Sequence, residues 1–202
     1  MNENTRPLPG VSFVVPVYNK ALHLPRVLAQ IKAQRGSFRR QYVFVDDGST
    51  DNSLEILRKE TAGWNDSIIE SQENQGSAGA TNTGITLSNQ PYIKFVDADD
   101  LLHEDATLHL LEALKDSEAC LIFGGIYRFA KNDDLDLSSP LGDSEVVTIK
   151  APLLQALKNS LFNPTQFLAR TAAIKQVGGC DERVVHSQEY GLTLRLARQW
   201  SF

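Results

Sequence analysis

Three apolar runs in this chain stop abruptly at polar clusters, and the stretches between them carry a helical period. SFVVPVY (residues 12–18) gives way to NK, QYVFV (41–45) to DDGSTD, and YIKFV (92–96) to DADD. Between the first two, Leu24, Val27, Leu28 and Ile31 recur at three- and four-residue intervals, which predicts a helix over 21–34. Pro25 falls within its first turn, where a missing N–H costs nothing. Asn52 and Glu55 have the spacing of a capping box for a helix reaching Glu60. SIIESQ is a third strand candidate, and NQGSAGATNTG opens a further helix before YIKFV. Strands alternating with helices predict an α/β protein with a largely parallel sheet and right-handed crossovers. Ligands of such sheets gather at the carboxyl ends of the strands. YNK, DDGSTD and DADD are therefore expected at one edge.

After Asp100 the pattern changes. A helix is expected over 104–115, then a longer strand, ACLIFGGIYRFA, then an acidic surface loop, KNDDLDLSSPLGDSE. VVTI reads as a returning strand, 151–159 as a helix, TQFLAR as a strand, and a short helix should end at Gly178-Gly179. QEYGLTLRLARQW suits a final helix. No internal repeat or low-complexity tract is evident. The 202 residues favour one domain over 11–202 behind a lead-in of residues 1–10, with a first half to about 100 and a second half beyond it.

Composition narrows the partners. With 42% hydrophobic and 22% charged residues the chain is ordinary globular protein. Its formal charge of −5 argues against nucleic acid, whose phosphates need clustered Lys and Arg. A phosphorylated ligand can still be held by a metal or by N–H groups at a helix start. Cys120 and Cys180 lie far apart without metal spacing, so a reducing compartment is expected. The N-terminus lacks the apolar stretch of a signal peptide, and no run approaches a membrane span. The expected place is the cytoplasm, with peripheral contact at the inner membrane face left open.

DADD raises a sharper question, since carboxylates this close repel one another. In an extended segment Asp97 and Asp99 share a face, and two hard oxygen donors suit Mg²⁺ or Mn²⁺. A polar turn capping the next helix is the competing reading. DDGSTD is either an ordinary turn or a carboxylate pair able to accept the N–H edge of a base. NQGSAGATNTG matches neither the dinucleotide nor the phosphate-loop fingerprint, so its small residues are expected to pack a helix closely on the sheet. Tyr18 either stacks on a nucleobase or is a partly buried strand-end tyrosine. KNDDLDLSS lacks calcium-loop spacing, and His186 reads as a surface histidine.

VVPVYN, DDGSTD, NQGSAGATNTGI and FVDADD, in that order, resemble the nucleotide-sugar glycosyltransferases of family 2. The resemblance runs from about residue 11 to the end. It implies a GT-A fold: a Rossmann-like, mixed, mostly parallel sheet flanked by helices. It also implies a uridine pocket at Pro16, Tyr18, Asp46 and Asp47, with Asp47 bonding the base. The family's D-x-D falls on Asp97 and Asp99, with Asp99 the direct ligand of Mn²⁺ or Mg²⁺ and Asp97 placing ribose or phosphates. The late acidic pair falls on Gln188 and Glu189, which makes Glu189 the catalytic base of an inverting enzyme.

Chemistry agrees with that assignment. A departing diphosphate is stabilised by a divalent cation, and an acceptor hydroxyl needs a carboxylate to take its proton. The expected function is transfer of a sugar, UDP-linked, to a glycan or other hydroxyl acceptor. Three departures stand out. Thr81 replaces an arginine common in the family, Gln188-Glu189 replaces Glu-Asp, and the processive synthases' Q-x-x-R-W is absent. The alternatives are a non-catalytic nucleotide-sugar-binding module or part of a larger synthase, and a receiver-like phosphorylation domain. The last wants its acidic pair after the first strand, where this chain has PVYNK.

Overall fold

The computed structural model describes residues 8–126, 136–142, 145–184 and 188–202. Among them, six strands form one sheet in the order β3-β2-β1-β4-β6-β5. The first half supplies β1 (Leu8–Val17), α1 (Leu24–Ala33), β2 (Phe38–Asp46), α2 (Ser53–Glu60), β3 (Ser67–Ser71), α3 (Gly76–Leu87) and β4 (Tyr92–Phe95). These four strands are mutually parallel. The second half adds α4 (Ala106–Lys115), β5 (Leu121–Phe123), α5 (Leu153–Lys158), β6 (Phe167–Arg170), α6 (Thr171–Gln176) and α7 (Gln188–Ala197). β6 runs antiparallel to both β4 and β5, which makes the sheet mixed.

Two apolar layers sandwich the sheet. Phe13, Val15 and Val17 of β1 face α1, α2 and α4 through Leu24, Leu28, Ile31, Leu57 and Leu111. Val14 of the same strand faces α3 and the late helices with Ile85, Ile174, Leu192 and Leu196. Burial on both faces is why β1 reads as a continuous apolar run rather than an alternating one. The small residues of α3 have the packing role expected of them: a Cβ on Gly84 would lie 2.3 Å from Val14 Cγ1. Gly84 therefore lets the helix axis approach β1.

Three expectations need correcting. The long strand over 119–130 contracts to Leu121–Phe123; residues 124–126 leave the sheet, and 127–130 lie outside the described residues. VVTI forms no strand. Val146 and Val147 are exposed, while Ile149 pairs its backbone with Phe202 at 2.7 and 3.1 Å. The Asn52–Glu55 capping box is not made: Asn52 has φ −77° and ψ 14°, off the extended geometry that aims a cap side chain. Asp51 accepts the Ser53 N–H at 2.9 Å instead. A capping box forms elsewhere, between Asn163 and Gln166 on a 3-10 turn leading into β6.

Candidate active site

The ends of β1 and β2 are locked together. Asn19 adopts a left-handed φ of 52°, a conformation asparagine tolerates better than most residues. In that position its side-chain Oδ1 accepts the Thr50 and Asp51 N–H groups at 2.8 and 3.3 Å, while its own N–H donates to Ser49 Oγ at 3.0 Å. The next residues continue the lock: Lys20 N donates to Ser53 Oγ and Ala21 N to Asp51 Oδ2. Gly48, at φ +72°, supplies the turn that brings DDGSTD beside this loop. The polar clusters after β1 and β2 thus form one interlocked rim, with Tyr18 47% exposed on it.

Asp46 and Asp47 lie beneath the rim, 1% and 2% exposed. Asp47 Oδ1 accepts Gln72 Nε2 at 2.8 Å and the Gln75 N–H at 2.9 Å, which fixes the entry to α3. Asp46 Oδ2 accepts Ser71 Oγ at 3.3 Å, whereas its Oδ1 is buried without a hydrogen-bond partner among the described residues. An orphaned buried acceptor is costly and invites a donor. The unsatisfied oxygen of the pair thus belongs to Asp46, not to the Asp47 oxygen already committed to α3.

DADD is not extended. β4 ends at Phe95, and the Asp100 N–H closes a turn onto the Asp97 carbonyl at 3.0 Å, so the alternate-face argument does not apply. Asp97 faces inward and its N–H donates to Thr165 Oγ1 at 3.0 Å. Asp99 faces outward, 42% exposed, and pairs with Lys20 Nζ. Burial pushes the Asp97 carboxyl up to about 7, helped by the charges of Asp100, Asp99 and Glu189 and opposed by Lys20. Lys94, three residues earlier, is 1% exposed; burial pulls its ammonium down to about 7 against the pull of Asp100 and Asp97. Its Nζ donates to the Thr165 and Phe167 carbonyls.

Asp97 and Glu189 both line one small, partly open cleft at the sheet edge. Pro16 and Thr81 also line it, and Phe95, Phe167 and Leu192 give it apolar surface. Glu189 arrives on the first turn of α7, half-buried. The turn before α7 is pinned from α3: Asn82 Nδ2 donates to the Cys180 carbonyl and Glu182 Oε1, and Asn82 Oδ1 accepts the Cys180 N–H at 2.8 Å. Cys180 lines the cleft, but burial holds its thiol up at about 12, so it is no nucleophile. Of the expected residues, Pro16, Asp97 and Glu189 share this cleft, Tyr18 and Asp99 stand exposed beside it, and Asp46 and Asp47 are buried beneath the rim. Lys20, Lys94, Thr165 and Asn82 were not singled out from sequence. Only Lys94 carried a signal, a lysine inside an apolar strand. His186 lies outside the described residues, as does part of the KNDDLDLSS loop; its Asp136 closes a local turn with Ser138 and Ser139.

Among the described residues no group of three or more His, Cys, Asp and Glu side chains converges as a closed metal site. Mg²⁺ and Mn²⁺ need less than that, taking one or two carboxylates and completing their shell with phosphate oxygens and water. Burial first, and then the neighbouring carboxylates, push Asp97 up, and Asp99 has recruited an ammonium: the turn is short of positive charge. Of the two carboxylates only Asp99, exposed on the outer side of the turn, is open to such an ion; Asp97 faces inward.

A mixed, mostly parallel sheet with acidic turns gathered at one edge and a late carboxylate across a cleft defines the GT-A architecture. The chain belongs to glycosyl transferase family 2, whose model matches residues 12–178. It is 34% identical over 124 residues to Glycosyltransferase GlyG of Streptococcus pneumoniae, covering 61% of this chain and 41% of that protein. The crystal structure of S. aureus TarS in complex with UDP-GlcNAc is similar at a TM-score of 0.72 and 19% identity, over 93% of this chain and 53% of that one. A mannosyltransferase from Pyrobaculum calidifontis, in complex with GDP-Man and Mn²⁺, is similar at a TM-score of 0.64 and 20% identity, over 94% and 54%. The chain therefore spans about half or less of these relatives. Among the described residues no helix is long and apolar enough to cross a membrane.

Proposed function

We propose that the chain transfers a sugar from a nucleotide-diphosphate donor, UDP-linked, to a hydroxyl acceptor with inversion and with the help of a divalent cation. The observation that carries this reading is the shared cleft, with Asp97 from the strand end and Glu189 from the start of α7 on its walls. The Asp46–Asp47 pair and the rim at Pro16 and Tyr18 hold the nucleoside, with Asp47 accepting the base N–H. Asp99, on the outer side of the turn, holds the cation, and Asp97, facing inward, helps place the ribose or phosphates. A bound Mn²⁺ or Mg²⁺ supplies Lewis-acid stabilisation of the departing diphosphate. Glu189 takes the acceptor O–H proton as the acceptor oxygen bonds the anomeric carbon and the sugar–phosphate bond breaks, its electron pair leaving with the diphosphate. UDP-GlcNAc in TarS and GDP-Man with Mn²⁺ in the mannosyltransferase support a nucleotide-sugar ligand on this fold.

A second reading, a non-catalytic nucleotide-sugar-binding module, is favoured by Thr81, which leaves a cleft wall without positive charge. Transfer assays on Glu189→Gln separate the two. Loss of the general base should lower turnover by about 10²–10⁴-fold with UDP binding unchanged. Turnover within a few-fold of wild type would remove Glu189 from the chemistry. Donor binding with no sugar release under any acceptor would establish the module.

A further inference from the structure

The rim that faces the acidic turn contributes one ammonium to it, and that ammonium occupies the carboxylate assigned to the cation. Lys20 Nζ pairs with Asp99 Oδ2, the two side chains being 34% and 42% exposed. Lys20 is also the group whose charge counters the crowding on Asp97. The other lysine near the turn, Lys94, is spent on the Thr165 and Phe167 carbonyls. The backbone of Lys20 is fixed: its N–H donates to Ser53 Oγ at 2.8 Å, and its carbonyl accepts His23 and Leu24 N–H at 2.9 and 3.0 Å. Its ammonium, on a flexible four-carbon stem at the solvent edge, is able to swing.

We propose that Lys20 is a positioning residue that guards Asp99: its ammonium and a divalent cation compete for the same carboxylate, so the cation enters together with the donor diphosphate. The diphosphate completes the exchange by offering the displaced ammonium an anionic partner. An exposed ion pair is weak enough to exchange, and its removal changes a competing equilibrium by about two- to fivefold. Without nucleotide, Lys20 covers Asp99 and the acidic turn holds Mn²⁺ poorly. With nucleotide, Lys20 and the cation both find partners. By linkage the two ligands then strengthen each other's binding equally. This inference rests on the proposed cation role of Asp99.

Titration of Mn²⁺, followed by the EPR signal of the free ion, tests it on the whole chain without any turnover. Lys20→Met keeps the backbone bonds and the length of the stem, and its Tm verifies folding. Without nucleotide, Lys20→Met should bind Mn²⁺ about two- to fivefold more tightly than wild type. Adding Asp99→Asn should erase that gain. With UDP present, the gain should shrink or reverse. Equal or weaker Mn²⁺ binding by Lys20→Met without nucleotide, including binding too weak to detect in both proteins, overturns the guard. A different failure is recognisable: if Asp99→Asn alone leaves Mn²⁺ affinity unchanged with UDP present, Asp99 is not a cation ligand and the underlying reading falls with the inference.

Discussion

Lys94 sits in the middle of β4 with 1% of its surface exposed, where an apolar residue would satisfy the sheet. A buried lysine is expensive unless its charge is answered. Here Asp97 and Asp100 answer it while its Nζ ties the acidic turn to the Thr165–Phe167 wall. Its native pKa, pulled down to about 7 from 10.5, fixes a sign. Between those values the unfolded chain holds a proton that the native state releases, so stability rises with pH across that window. Below about 7 the full cost of burying the charge is present. Urea midpoints should therefore climb from pH 7 to pH 8 in wild type, and the climb should flatten in Lys94→Met. That range lies below the one where Cys120 and Cys180, both held up at about 12 by burial, act in the opposite sense. A slope unchanged by the substitution would mean that another group titrates. This residue was legible in sequence as a charge inside an apolar run. The turn at Asp97–Asp100 was not, because the two-residue alternation ends with the strand at Phe95 and the backbone bends immediately after it.

At the scale of elements, the parallel half was readable because its strands are buried on both faces and stop at hydrogen-bonding turn residues. β2, for example, ends at Asp46, and the turn after it is locked to Asn19 through Thr50 and Asp51. The second half was less so. The apolar residues of 119–130 and 146–149 do not share one role: Leu121 enters the sheet, Val146 and Val147 face solvent, and Ile149 pairs with Phe202. Glycines show how packing rather than propensity sets α3. Gly84→Ala places a methyl 2.3 Å from Val14 Cγ1 and should cost about 1–3 kcal/mol by overpacking, read from urea unfolding. Gly191→Ala in α7, whose new Cβ meets nothing within 4 Å, should instead stabilise by about 0.4–1 kcal/mol. Equal effects at the two sites would contradict the close approach of α3 to β1.

For the whole molecule, the sheet edge gathers residues separated by more than 170 positions, Pro16 to Glu189, into one cleft and rim. Strand order made the edge foreseeable from sequence; the contribution of α7 was foreseeable only through the family resemblance, since nothing local marks Glu189 as different from a helix-start glutamate. Asn82 then shows how the distant turn is held in place, by three hydrogen bonds across nearly a hundred residues. The claim on which the rest stands is that acidic side chains at the β4 end grip a nucleotide diphosphate through a cation. Calorimetric titration of UDP into the protein, with Mn²⁺ and again after chelation, tests it directly. The account predicts affinity about tenfold or more weaker after chelation, about 1.4 kcal/mol or more, with the same loss in Asp99→Asn. Equal affinity with and without the ion, in both proteins, would contradict it.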